Sequence, residues 1–148
     1  MAEKENKIEK KKENVDTLLL QWQTCVESAN VVSQRRDVIN GLFVTLNLAT
    51  ITTIVALWGM KAVTLLVAGI VICVSWLLYI SSFKMLNKAK FDVINDMEAH
   101  LPAQPFNDEW NALSKDERYV KGSDIEKVLP VSFLIIYTTL SAFLFICN

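Results

Sequence analysis

The sequence predicts an all-α integral membrane protein with three transmembrane helices and long cytoplasmic helical extensions. Three charge-free runs carry this prediction, at residues 38–60, 62–83 and 128–148 of the 148-residue chain. Each run is long enough to span a bilayer, because a helix needs about 20 apolar residues to cross the hydrocarbon layer. The rest of the chain is rich in charge, so only these three segments suit a lipid environment.

The basic residues predict the orientation. Seven of the 15 Lys and Arg lie in residues 1–37 and seven in residues 84–127, which leaves Lys61 alone between the first two runs. Basic residues beside spans stay in the cytoplasm, so we expect a cytoplasmic N-terminus and a periplasmic or extracellular C-terminus. Four segments follow: an N-terminal cytoplasmic helix (1–37), a transmembrane hairpin (38–83), a cytoplasmic helix with a proline-containing loop (84–127) and a third span (128–148).

Composition argues against several classes of function. The net charge of −1 gives no basic surface for nucleic acid. The three cysteines are scattered, with Cys73 and Cys147 inside spans, so neither a disulfide framework nor a zinc site is indicated. The single histidine, His100, stands beside a helix-ending turn, which favours a surface or capping role. We expect no enzyme, no cofactor and no metal, because no nucleophile, base or ligand cluster is visible.

The cytoplasmic segments show helical patterns. Residues 8–39 follow a heptad-like repeat that includes Leu18 and Trp22, which favours packing against a partner helix. Either an amphipathic helix packed on its own subunit or a self-associating coiled coil satisfies this pattern. The second span is expected to continue to about His100. One face of this extension should pack against the Leu18 and Trp22 side of the first helix, and it comprises Phe83, Leu86, Val93, Ile94, Met97 and Leu101.

Proline and acidic residues divide the remainder of the loop. Pro102 and Pro105 should end the second helix. Asn107 should cap a short helix that carries Trp110, and Ser123 with Glu126 fits a capping box for the last helix. Pro130 would kink that helix, or the third span would begin afresh near Leu129. Three acidic residues of the second helix are expected on a solvated face: Asp92, Asp96 and Glu98.

A polar face on the first span is the candidate functional feature. At 100° per residue, Arg36, Asn40, Asn47 and Thr50 fall within one arc. Polar groups in hydrocarbon need partners or water, so this face indicates either hydrogen bonds between helices or the lining of a hydrated pore. Because three spans surround these groups poorly, we expect neighbouring subunits to supply partners. We expect Arg36 to face the subunit interface or axis, and Arg35 to face the loop or lipid headgroups.

An ordered set of short motifs resembles a known family. Glu27-Ser28-Ala29, Ser33-Gln34-Arg35-Arg36 and Asn40 to Asn47 are similar to the segment before the first span in the RipA-family octameric membrane proteins of bacteria. The loop motifs Leu86 to Phe91, Leu101-Pro102, Pro105-Phe106 and Glu109-Trp110 follow in the same order. Gly41-Leu42 departs from the bulkier residues expected there. The resemblance implies a ring-like homo-octamer in the bacterial inner membrane, without implying a biochemical activity.

Two classes of function follow from these observations. The first is a non-conducting scaffold or partner-binding platform, in contact with membrane lipid and an unknown cytoplasmic protein. Its candidate packing or partner surface comprises Leu18, Trp22, Glu27, Arg35, Pro102, Pro105 and Trp110. The second is an oligomeric pore or membrane-permeabilising effector, such as a phage-defence protein, in which the first span lines the axis.

Overall fold

The computed structural model describes residues 2–57, 59–116, 119 and 122–146, and every regular element among them is helical. The helices are α1 (Ala2–Ala56), α2 (Val63–Glu98), α3 (Pro105–Leu113), α4 (Gly122–Glu126) and α5 (Val128–Ile146), with a short 3-10 helix at Met60–Ala62. Three stretches are long and apolar enough to cross a membrane: Glu5–Ala56, Val63–Glu98 and Gly122–Ile146. The predicted all-α class with three membrane-length helices is therefore confirmed, while Cys147 lies outside the described residues.

The chain divides into two compact units. The amino-terminal unit contains Met1–Ser33 and Leu86–Tyr119, and the membrane unit contains Gln34–Met85 and Val120–Asn148. All three charge-free runs belong to the membrane unit. The position of the membrane surface along the helices, and with it the segment boundaries at residues 37, 83 and 127, stays a prediction.

A tight turn joins α1 to α2 in the membrane unit. The Leu57 amide still bonds the Thr53 carbonyl at 2.9 Å, and the Ala62 amide bonds the Gly59 carbonyl at 2.9 Å. Gly59 has a φ of 123°, which a residue with a Cβ adopts only under strain. These bonds satisfy part of the backbone at the helix ends and reverse the chain, so α1 and α2 form the expected antiparallel hairpin.

The core of the membrane unit lies where α1, α2 and α5 meet. Gly69 allows the closest approach, because a Cβ at this position would overlap the ring of Tyr137 on α5. Cys73, one turn further along α2, is fully buried. The Gly69 and Cys73 spacing is a small-residue motif that lets membrane helices pack closely. The buried cluster consists of Ile54, Ala62, Leu66, Cys73, Trp76, Ile80, Phe133, Tyr137 and Leu144.

The amino-terminal unit is held by aromatic rings and small residues. Phe106 of α3 contacts Trp22 of α1, with ring centroids 5.8 Å apart, and Phe91 of α2, at 5.7 Å. Ala29 and Ile94 are buried in the same unit. On the predicted packed face of α2, Ile94 is buried and Met97 and Leu101 are half-buried, but the prediction is wrong for Leu86 and Val93, which are largely exposed. The packed side of α2 runs through Phe91, Ile94 and Glu98, which recur at helical spacing.

The helix ends differ in detail from the sequence expectations. The α2 helix ends at Glu98, and His100 Nδ1 donates to the Asp96 carbonyl at 3.0 Å, which confirms its capping role. The α3 helix begins at Pro105, so the assignment of Asn107 as its cap is wrong. Proline suits the first helical position because its φ is already helical and no amide is lost. The third span begins afresh at Val128, with Pro130 in its first turn.

Candidate functional site

Asn47 is enclosed within a single subunit. Its side chain is fully buried, its Nδ2 donates to the Phe43 carbonyl at 2.8 Å, and its Oδ1 accepts from Cys73 Sγ at 3.2 Å. The Tyr137 hydroxyl donates to the Asn47 backbone carbonyl at 3.3 Å, and the Thr50 side chain lies beside that hydroxyl. Asn47 therefore connects α1 to both α2 and α5, which are the other two membrane helices.

Asn40 makes the second polar contact of this face, two turns before Asn47. Its Oδ1 accepts from Trp76 Nε1 at 2.8 Å, and the indole of Trp76 stacks on Phe43 at 5.4 Å with only 6° between the ring planes. The expectation that neighbouring subunits supply partners for Asn40 and Asn47 is therefore wrong. The alternative interpretation of this face, hydrogen bonding between helices, is confirmed inside one subunit.

The threonine hydroxyls of the first span form hydrogen bonds within their own helix. The hydroxyls of Thr45, Thr50, Thr52 and Thr53 each donate to the carbonyl four residues earlier, at 2.8–3.0 Å. An α-helical carbonyl can accept this second bond, so a threonine costs little in hydrocarbon. The exposed side of the first span consequently presents methyl and aliphatic groups rather than free hydroxyls.

Arg36 and a group of acids link α4 to the hairpin in the membrane unit. Arg36 Nε lies 3.2 Å from Glu126 Oε1, and both side chains are about one-fifth exposed, at 21% and 19%. Asp124 Oδ1 lies 3.6 Å from Lys84 Nζ and 3.5 Å from Lys127 Nζ. The guanidinium group of Arg36 therefore pairs with a carboxylate of its own chain, while the expectation that Arg36 faces the subunit interface or axis stays a prediction.

The candidate residues of the amino-terminal unit separate into packed and exposed groups. Leu18 and Trp22 are half-buried, and the ring of Trp22 contacts the ring of Phe106 on α3. Packing of Leu18 and Trp22 against the extension of the second span or a neighbouring subunit stays a prediction. The indole Nε1 of Trp22 is buried and has no hydrogen-bond partner among the described residues. Exposed positions predicted from the sequence are Glu27, Pro102, Pro105 and Trp110, and in the membrane unit Arg35.

Trp110 and Tyr119 form an exposed aromatic pair. Their ring centroids are 6.4 Å apart and their planes nearly perpendicular, at 89°. Trp110 is 48% exposed and Tyr119 is 41% exposed. Asp108 and Glu109, which precede Trp110 on α3, are exposed as well. This acidic and aromatic surface, which we call the α3 face, comprises Glu109, Trp110 and Tyr119, whereas Asp108 lies about 200° around α3 from Trp110 and points to another side.

Glu98 is the residue that the sequence reasoning misjudged most. It is fully buried, and its Oε1 and Oε2 accept the backbone amides of Phe106 and Asn107, each at 3.2 Å. These amides belong to the first turn of α3, where unpaired N–H groups attract negative charge. A signal in the sequence could have revealed that Glu98 caps α3. It lies seven residues before a helix that begins with proline, and it shares a face of α2 with Phe91 and Ile94.

Comparison with known proteins adds one match. The model of a family described as the Octameric membrane protein family (8xMP) matches residues 19–146. That range includes every candidate residue named above except Leu18. No curated protein and no solved structure matches the chain.

Proposed function

Because this chain belongs to the octameric membrane protein family, we propose that it forms a non-conducting homo-octameric scaffold in the bacterial inner membrane. Membership supports membrane localisation and assembly from identical subunits. The scaffold role rests on how the polar groups of the first span are arranged. We also propose that the scaffold has no catalytic activity of its own, since the sequence offers no nucleophile beside a base.

The burial of Asn47 is the observation that carries the proposal. A hydrated pore lined by the first span requires polar groups that reach the water in the pore. Asn47 has no exposed surface even in a single subunit, and the described threonine hydroxyls of this span bond their own helix. The side of the first span that remains for lipid or for neighbouring subunits is apolar, which suits packing rather than conduction.

The orientation proposed from the basic residues places the amino-terminal unit in the cytoplasm. In this orientation, the α3 face is available to soluble partners. Trp and Tyr are among the side chains that most often anchor protein interfaces, and Glu109 adds negative charge. We therefore propose that the α3 face binds a cytoplasmic protein through a segment that carries lysine or arginine, since cations pair with carboxylates and with aromatic faces.

Conductance measurement tests the scaffold against the pore. We expect the purified octamer in planar bilayers to show no current above that of protein-free membranes, because Asn40, Asn47 and the described threonines of the first span already have partners within the subunit. Asn47→Leu and Thr52→Val should be equally silent. Discrete channel openings that change in Asn47→Leu but persist in Thr52→Val would support the pore and overturn the scaffold.

Site-specific photo-crosslinking in cells tests the platform. A photoreactive residue in place of Trp110 should give a heteromeric adduct, whereas the same residue in place of Ala112, also exposed on α3, should give much less. Charge reversal by Glu109→Lys should abolish the adduct while the octamer keeps its mass, because only the partner contact is lost. Equal adducts at both positions, or an adduct that survives charge reversal, would contradict partner binding at the α3 face.

A further inference from the structure

Two adjacent arginines at the start of the first span have different surroundings. Arg36 pairs with Glu126, as described above. Arg35 is exposed, and none of the ion pairs recorded among the described residues involves it. The nearest acid in sequence, Asp37, lies about 200° around the helix from Arg35, so it points to another side. Among the described residues, Arg35 is thus a cation with no recorded carboxylate partner.

The neighbour of Arg35 is an aromatic residue with a hydroxyl group. Trp76 of α2 bonds Asn40 of α1. Because the two helices are antiparallel, Tyr79 and Phe83, which follow Trp76 on α2, lie level with Arg35, which precedes Asn40 on α1. The ring of Tyr79 lies between two others, with centroids 4.4 Å from Phe83 and 6.0 Å from Phe43. All three rings are half-buried, so each keeps an accessible edge on the surface of the membrane unit.

The depth of this group matches a membrane interface. Arg35 precedes the first charge-free run, which begins at residue 38, and Tyr79 and Phe83 close the second run, which ends at residue 83. Since the two helices are antiparallel, both positions lie at the same end of the spans. Tyrosine rings concentrate at this level in membrane proteins, and arginine extends toward the headgroups.

We propose that Arg35 and Tyr79 form a binding site for the phosphate of an anionic phospholipid. The planar guanidinium group donates two parallel hydrogen bonds to phosphate oxygens, and the Tyr79 hydroxyl supplies a third donor. The first carbons of an acyl chain then lie against the accessible edges of Phe43 and Phe83. A phospholipid fits better than a free anion, because the cation is followed toward the membrane by an apolar aromatic surface rather than by further donors.

Lipid retention measured by native mass spectrometry tests this site. The octamer is exchanged from vesicles of equal phosphatidylglycerol and phosphatidylcholine into mild detergent, and the bound lipids are counted. Wild type should retain phosphatidylglycerol in preference to phosphatidylcholine. Arg35→Gln should lower that preference by about fivefold, the effect of one basic side chain near an anionic membrane surface. Tyr79→Phe should lower it by a smaller factor, and Arg35→Lys should restore part of the preference.

Lys84→Gln is the matched control, because it removes the same charge from a side chain that already has the Asp124 partner. Its lipid preference should stay within about twofold of wild type, since one paired charge contributes little to the surface potential. The octamer mass of each variant shows that assembly is intact. An equal loss in Lys84→Gln and Arg35→Gln would mean that net charge alone selects lipid and would overturn the site. Displacement of phosphatidylglycerol by excess inorganic phosphate would also overturn it, since the site would then bind free anions.

Discussion

Trp76→Ala should destabilise the membrane unit by about 3–5 kcal/mol, the range for deleting a fully buried aromatic side chain. Trp76 has no exposed surface, stacks on Phe43 and contacts Phe133 of α5 with ring centroids 6.2 Å apart. Its removal leaves a cavity among three helices and takes away the donor for Asn40 Oδ1. The midpoint of unfolding in increasing fractions of denaturing detergent measures the change.

Trp76→Phe separates packing from hydrogen bonding. Phenylalanine keeps an aromatic ring against Phe43 but has no N–H for Asn40, so its cost should be near the roughly 1–2 kcal/mol of a hydrogen bond between membrane helices. Asn40→Leu should give a similar value, because it deletes the other half of the same bond. Wild-type stability of Trp76→Ala would show that this tryptophan is not part of the packed core.

Glu98→Ala should release the first turn of α3. The change removes two hydrogen bonds to a charged acceptor, each worth about 1.5–3 kcal/mol, and leaves the Phe106 and Asn107 amides without a partner. In wild type, the cost of burying the Glu98 charge offsets part of the stabilisation from these two bonds. We therefore expect Glu98→Ala to lower the stability by about 2–4 kcal/mol in net terms. Amide hydrogen exchange reads the effect directly, with faster exchange at Phe106 and Asn107 while the amides of the membrane unit stay protected.

Two further variants define the role of Glu98. Glu98→Gln keeps one acceptor oxygen but turns an amide NH₂ toward the other backbone N–H, so exchange should rise to an intermediate rate. Glu109→Gln removes an exposed acid from the same helix and should leave exchange unchanged. If Phe106 and Asn107 exchange equally fast in wild type and Glu98→Ala, the carboxylate does not hold α3.

The sequence predicted the helices better than their partners. A charge-free run of membrane length has essentially one structural solution, because every backbone group must be satisfied within the segment. The short Gly59-Met60-Lys61 connection likewise allowed only a hairpin. The partner of a polar residue is harder to predict. Helical spacing shows on which side of its helix Asn47 lies, but not which other helix packs against that side. Tyr137 lies ninety residues away from Asn47 in the chain, a pairing that no local pattern contains.

Glu98 and Arg36 show why the sites were harder to predict than the fold. Charged residues are mostly solvated, so an acid near the end of a cytoplasmic helix was assigned to solvent. Its burial depends on α3 presenting its first amides to the end of α2, and this contact is tertiary. Helical spacing gave the direction of Arg36 relative to Asn40 correctly. It could not show that Glu126, from a separate helix, occupies that direction.

The buried thiol of Cys73 provides a chemical measure of how often the transmembrane hairpin opens. Only a thiolate reached by solvent reacts with an alkylating reagent, and Cys73 is fully buried with its Sγ bonded to Asn47. Alkylation at this position can proceed only while α1 and α2 are apart, so with closure faster than alkylation its rate is proportional to the fraction of time that the hairpin is open. Cys25, which is half-buried in the amino-terminal unit, reacts without that requirement and sets the reference rate. Because Cys25 is itself partly protected, the ratio of the two rates is an upper limit on the fraction of time that the membrane helices spend apart.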